Sequence, residues 1–372
     1  MLKAPLMIAV ILLAPCRWSA AEFAFPEDHG PHPDHRIESW YFSGRLAAEE
    51  NRQFGFHLGF FRLGVQSDAA NAGRNVNSAW TLDEIYRAEL GILDLETGRF
   101  QSYEHLSRAA LGMAGSQTRP VRVWVYDWVA EALSSSNSQP AFRLRATWGE
   151  EVSLELELKV AKPALVPGGQ PLFGSGSARN SIRGYSLTRM VASGRLELGE
   201  RAHEVKGHAW LDRLWRGASF DQVMASLASG ERTGFLTAGQ IAINRFALLL
   251  ENGWELLLFQ MHRRDGGGVP IASGTLVYGD GSSRNLSGDE LTFSEKGYWS
   301  SADGVRYPSA WRIIVPGDGI DLEVSASSPD QEVRETVRYW AGAVDVSGEA
   351  IGRPVTGHGH AALAGYGARS ED

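Results

Sequence analysis

The stretch Gly207-His208-Ala209-Trp210-Leu211-Asp212-Arg213 carries a dense set of reactive side chains. Read as a β-strand, it points His208, Trp210 and Asp212 the same way, because alternate residues share a face. An imidazole, an indole and a carboxyl group would then line one surface. Such a set can protonate an unsaturated or leaving group and activate water. A carboxyl group in an apolar pocket keeps its proton near neutral pH, which suits Asp212 to the acid and His208 to orienting or activating water. The same trio also fits a hydrogen-bonded structural group that closes a barrel.

Glu38-Ser39-Trp40-Tyr41-Phe42 offers a second set. On a strand, Glu38, Trp40 and Phe42 share a face, and a carboxylate beside two aromatic rings is placed for proton transfer. The alternative is a buried Glu38 paired with an arginine such as Arg62 or Arg189, since buried charges are usually paired. His29, His32 and His35 are spaced by three, but Pro31 and Pro33 exclude the helix that would make that spacing a metal-binding face. These histidines, and the His358–His360 pair, lack a recognised zinc spacing, so no metal is expected. Gly-x-Ser-x-Gly, the phosphate-binding Gly-x-x-x-x-Gly-Lys loop, a dinucleotide fingerprint and His-Glu-x-x-His are all absent. Chemistry here would be general acid–base chemistry without a cofactor.

The elements that must position these groups are strands. Val152 to Val160 alternates apolar and polar residues, as do Val121 to Val129 and Phe54 to Leu63. Ile241 to His262 reads as a hairpin turning at Asn252-Gly253. Helical periodicity is confined to one short candidate at Phe220, Val223, Met224 and Leu227. The Gly-, Pro- and Ser-rich run from Pro163 to Arg183 reads as a long loop or lid. A weak repeat is also visible. Gly194, Gly199, Val205 and Gly207-His208-Ala209 follow Tyr185, while Gly342, Gly348, Val355 and Gly357-His358-Gly359-His360-Ala361 follow Tyr339. Earlier, Phe54 to Arg62 matches Glu255 to Arg263, and Glu89 to Gln101 matches Ala272 to Asn285. The expected architecture is all-β, with two tandem halves, each the size of a closed barrel.

Residues 1–21 read as a cleaved leader: Lys3, an apolar run from Ala4 to Pro15, and Ser19-Ala20-Ala21 before a mature start near Glu22. The apolar run is too short to span a bilayer. Pro15 argues against lipidation at Cys16, the only cysteine. The expected divisions are 1–21, 22–203 and 204–372, in a periplasmic or secreted protein. Loss of Lys3 and Arg17 with the leader takes the net charge from -8 to -10, which disfavours nucleic acid and anionic membranes as partners. No later segment reads as membrane-spanning.

Phe25-Pro-Glu-Asp-His-Gly through Glu38-Ser-Trp-Tyr-Phe-Ser-Gly-Arg-Leu46, then His57-Leu-Gly-Phe-Phe-Arg62, Tyr185-Ser-Leu-Thr-Arg189, Gly207-His-Ala-Trp-Leu-Asp212 and Tyr339-Trp-Ala-Gly-Ala-Val344 together resemble the AttH-like, or CrtC-like, secreted hydrolases. That family includes relatives of carotenoid 1,2-hydratase and kievitone hydratase. Ser39 stands where the family has an aromatic residue, and the final motif lacks a carboxylate. The resemblance implies two lipocalin-like domains and a pocket for a hydrophobic small molecule. By matching position it carries over Glu38, His208, Trp210 and Asp212, with Trp40, Tyr41, Tyr185, Arg189 and Trp340 as substrate-lining residues. The leading expectation is an exported hydratase- or hydrolase-like enzyme, and the alternative is a non-catalytic lipocalin-type carrier of apolar ligands.

Overall fold

The computed structural model describes residues 23–64, 84–133, 140–167, 182–216, 241–264 and 270–367. The leader, the short helix expected around Phe220 to Leu227 and most of the 163–183 loop lie outside the described residues. Within them, every element longer than a 3-10 turn is a strand, and no helix is long and apolar enough to cross a membrane.

The first sheet comprises β1 (Ile37–Ala47), β2 (Gln53–Gly64), β3 (Glu84–Asp94), β4 (Arg99–Arg108), β5 (Ala114–Thr118), β6 (Val121–Val125), β7 (Trp128–Ala132), β8 (Ala141–Trp148), β9 (Val152–Val160), β10 (Ile182–Leu198) and β11 (Arg201–Arg216). Its order is β4-β3-β2-β1-β11-β10-β9-β8-β7-β6-β5. The second comprises β12 (Ile241–Leu250), β13 (Glu255–Arg263), β14 (Ile271–Val277), β15 (Ser283–Leu286), β16 (Thr292–Ser300), β17 (Arg306–Val315), β18 (Ile320–Ala326), β19 (Glu332–Arg334), β20 (Arg338–Ala350) and β21 (Arg353–Ala364). Its order is β15-β14-β13-β12-β21-β20-β18-β17-β16, with β19 beside β20. Both sheets curl into near-barrels, as two lipocalin-like halves require.

The two orders repeat one topology: four strands in sequence, then the last strand of the half, then the strands before it in reverse. The sequence repeat is therefore structural, with one correction. Gly194 (φ +155°) and Gly348 (φ +150°) share an unusual backbone, and a Cβ on either would strike a carbonyl of the neighbouring strand, Glu155 or Asp321. Gly194 thus matches Gly348 rather than Gly342. The expected division at 203/204 falls inside β11, whose length pairs with β10 and β1. The first sheet's last strand ends at Arg216 and the second sheet's first strand begins at Ile241.

Alternation explains the packing. In β9, Val152, Leu154, Leu156, Leu158 and Val160 are all buried while the residues between them are not. Such inward faces, with Phe42, Phe54, Phe60 and Trp128, fill the first barrel with side chains. Phe246, Leu248, Trp311, Ile313 and Trp340 do the same in the second. A third core lies where the halves meet: Leu165 and Trp210 from the first against Ala247, Leu249, Leu257 and Val277 from the second. Polar ties frame it. Arg45 bonds Asp345 and Ser327, each at 2.6 Å, and Glu255 takes Arg189 at 2.5 Å and Lys162 at 2.8 Å.

Candidate active site between the two sheets

The pleat decides where each candidate residue goes. On β1, Glu38, Trp40 and Phe42 face the interior of the first barrel, whereas Tyr41 and Ser43 face the second half. On β11, Ala209, Leu211 and Arg213 face inward, and His208, Trp210 and Asp212 share the outer face. The trio therefore points to the surface between the halves, not into a barrel cavity.

Glu38 is fully buried and held at both oxygens. Arg213 Nη2 donates to Oε2 at 2.8 Å, Arg62 Nη2 donates to Oε1 at 3.2 Å, and the His32 amide also donates to Oε1. Burial alone would raise its pKa, but Arg213, the His32 hydrogen bond and Arg62 outweigh that and hold it at about 2. The arginines also take carbonyls of the N-terminal segment: Arg213 that of Gly30 at 2.5 Å, Arg62 those of His32 and His35 at 2.7 and 2.6 Å. The Arg213 guanidinium lies 3.8 Å from the Trp40 ring centroid. Glu38 thus clasps residues 23–36 to the barrel, and the arginine-paired alternative describes its surroundings. Tyr185 belongs to the same clasp. It packs edge-on against Phe25 and hydrogen-bonds His29. His32 stacks on Trp215 at 3.8 Å. The three histidines are dispersed along the strap, and among the described residues no group of three His, Cys, Asp or Glu is placed to hold a metal. Trp340 is a core residue of the second barrel, its indole donating to the Pro329 carbonyl at 2.8 Å.

Asp212 is buried between the halves. Ser186 and Trp210 donate to Oδ1 at 2.6 and 2.7 Å, and Arg245 from β12 pairs with Oδ2. Both oxygens of Asp212 are therefore engaged in this arrangement. His208 stands apart, stacked on His358 at 6.3 Å. Burial and Arg189 keep its imidazole below the usual range. Arg189 itself ties the halves together through Glu255.

Register assembles a further group around Tyr41. Asp212, Tyr41, Gly59 and Glu89 are opposite one another across β11, β1, β2 and β3. Trp210, Ser43, His57 and Gly91 form the adjacent row. Gly91 makes room for His57, since a Cβ there would lie 2.2 Å from its ring. From the second half come Arg245, Tyr339 and His360. The Tyr41 hydroxyl is 3.4 Å from His360 Nε2, Tyr41 stacks on His57 at 5.6 Å, and the two imidazoles are 5.6 Å apart. Tyr339 donates to Glu89, which also pairs with Arg87.

Burial, with Arg87, holds His57 at about 3. Burial, His57 and Arg245 hold His360 well below its ordinary value. Both are neutral rings at physiological pH. Burial also raises the Tyr41 phenol, which therefore keeps its proton. Among the described residues His57 Nε2, His360 Nδ1, Ser43 Oγ and Arg245 Nε and Nη1 are buried without a hydrogen-bond partner. Native interiors rarely leave such atoms unmatched, and their concentration here marks a place where polar groups are presented rather than used up. A hollow of about 500 Å³ lies elsewhere, at the hairpin ends of the second half around Trp254 and Arg353.

A sequence model of the AttH-like family matches residues 18–366. The chain belongs to the AttH-like family. Among solved structures, an AttH protein from Nitrosomonas europaea superposes with a TM-score of 0.74 at 24% identity, covering 92% of this chain and 97% of that one. Kievitone hydratase from Nectria haematococca superposes with a TM-score of 0.66 at 18% identity, covering 94% of each chain. No curated protein sequence matches significantly. These relatives share the two-sheet fold across nearly their whole length. In this member of the family, sequence motifs lead to Tyr41, Trp210 and Asp212 at the meeting surface. They do not single out His57, Glu89, Arg245, Tyr339 or His360 as partners there. His57 sits within the recognised His57-Leu-Gly-Phe-Phe-Arg62 motif, and its signal is the small residue required opposite it.

Proposed function

We propose that the protein is a hydratase-like enzyme acting on a small hydrophobic molecule where its two halves meet. Family membership and the shared fold of a hydratase support the reaction class. The observation that carries the site is the convergence of Tyr41, His57 and His360: the Tyr41 hydroxyl meets His360 Nε2, while His57 Nε2 and His360 Nδ1 are buried beside it without a partner among the described residues. In this reading Tyr41 gives its proton to one carbon of a substrate double bond. His57 Nε2 takes a proton from water as its oxygen bonds the other carbon, and that proton returns to Tyr41, so the net change is addition of one water. Arg245 offsets charge developing on the Tyr41 oxygen, and Asp212 holds Arg245 in place. The reading includes export, with the leader removed near Glu22.

Native mass spectrometry of the purified chain would identify a retained substrate, and incubation should then add the mass of one water. Tyr41→Phe should lower turnover roughly a hundred- to ten-thousandfold with little change in thermal midpoint. Unchanged turnover in that variant would remove Tyr41 from the chemistry. One observation favours a second reading, a non-catalytic binding protein using the same surface: Asp212 is already engaged by Arg245, Ser186 and Trp210. A retained molecule that never gains water would select it.

A further inference from the structure

We propose that the turn end of the first sheet carrying Leu111 and Tyr126 docks onto a zwitterionic phospholipid surface. Leu111 is 91% exposed and has a φ of +54°, with Gly112 following at +74°. Left-handed backbone is disfavoured for a residue with a Cβ, and glycine or asparagine normally occupies it. A branched aliphatic side chain is instead held out at the tip of a strained turn. The next turn repeats the device: Tyr126 has a φ of +56° and is 45% exposed.

The two turns form one unit. The Tyr126 amide donates to the Met113 carbonyl at 2.6 Å, and Trp124 Nε1 donates to the Gly112 carbonyl at 2.9 Å. The Tyr126 hydroxyl reaches the Leu106 carbonyl at 3.4 Å, and the Leu106 side chain is itself 53% exposed. Arg122 lies over the Trp124 ring, 4.9 Å from its centroid.

The order of chemistry is that of an interfacial anchor. An aliphatic tip leads, amphipathic Tyr and Trp rings stand behind it, and a cation is stacked on the indole. Nothing lies within 4 Å of a Cβ built on Gly112, so the tip projects instead of forming part of a flat face. A projecting side chain suits a soft, deformable surface better than the broad complementary patch a protein partner needs. Charge selects the lipid class. Arg108 and Arg122 exceed the neighbouring Asp127 by a single charge, while the whole chain carries -8, so the overall field opposes an anionic bilayer. This docking surface is independent of the proposed chemistry.

The test is co-sedimentation of the full chain with phosphatidylcholine vesicles, alone and mixed with phosphatidylglycerol. Binding to phosphatidylcholine is expected, with no strengthening as the anionic lipid rises. Leu111→Gly removes the tip and supplies the residue the backbone prefers, so folding is retained while affinity should fall about tenfold or more. Ile351→Gly makes the same change at another exposed left-handed position (φ +52°, 66% exposed) and should leave binding unchanged. The proposal is overturned if the wild type stays in the supernatant, if Leu111→Gly binds as well as wild type, or if Ile351→Gly loses as much. A self-association dissolved by Leu111→Gly, without vesicle binding, would assign the tip to a second copy and also overturn it.

Discussion

Replacing Glu38 with Gln separates a clasp from a catalyst. The carboxylate is buried against Arg213 and Arg62, which are almost fully buried themselves. A group held at about 2 against an ordinary 4.5 contributes about 3 kcal/mol at neutral pH, at about 1.4 kcal/mol per tenfold change in proton affinity. Removing one partner of a buried ion pair costs about 3–5 kcal/mol. The two routes agree, and correspond to a fall in thermal midpoint of roughly 6–20 °C for a unit of this size. The sign with pH follows from the depressed pKa. The contribution is fully present above pH 4.5 and is lost as pH falls through about 2, so wild type and Glu38→Gln should converge in stability across that window. Urea unfolding at several pH values measures it, and turnover per folded molecule should be unchanged. Loss of turnover with stability intact, or a stability gap that persists below pH 2, would refute the clasp.

One further outcome follows from the same geometry and one from the leader sequence. Asp212→Asn should destabilise the protein by about 3–5 kcal/mol because Arg245 is left buried and unpaired, whereas adding Arg245→Met should recover most of that loss; urea unfolding of the two variants checks it, and a stable Asp212→Asn protein that has lost turnover would return Asp212 to the acid role. Intact mass of the exported protein should give a chain starting near Glu22, and a lipidated start at Cys16 would contradict the leader reading.

The fold was legible because its signal is local. Alternation over β9 and the Asn252-Gly253 turn depend on neighbours along the chain, and the repeat of hairpins revealed the duplication. The exact alignment of the repeat was not, because Gly194 and Gly348 are alike in backbone shape rather than in sequence context. The common face of His208, Trp210 and Asp212 also followed from pleat alone. What that face looks at did not, because Arg245 and His360 arrive from strands far along the chain and their approach is set by packing of sheet on sheet. Glu38 shows the same limit in reverse. Its strand position was readable, yet its character is set by Arg213, 175 residues away.

The duplicated sheets have a consequence for how this surface could change over time. Aligned through Gly194 and Gly348, and so through Gly207-His208 and Gly357-His358, the two outer faces differ position by position. Tyr41, Ser43, His57 and Asp212 in the first correspond to Arg245, Ala247, Leu257 and Ala362 in the second. In a symmetric pair of identical chains every substitution appears twice, so a new carboxylate would bring its own copy along. In a tandem chain it appears once. Joining the copies therefore allowed one face to acquire Asp212 while the other acquired Arg245 to meet it, and the halves ceased to be interchangeable.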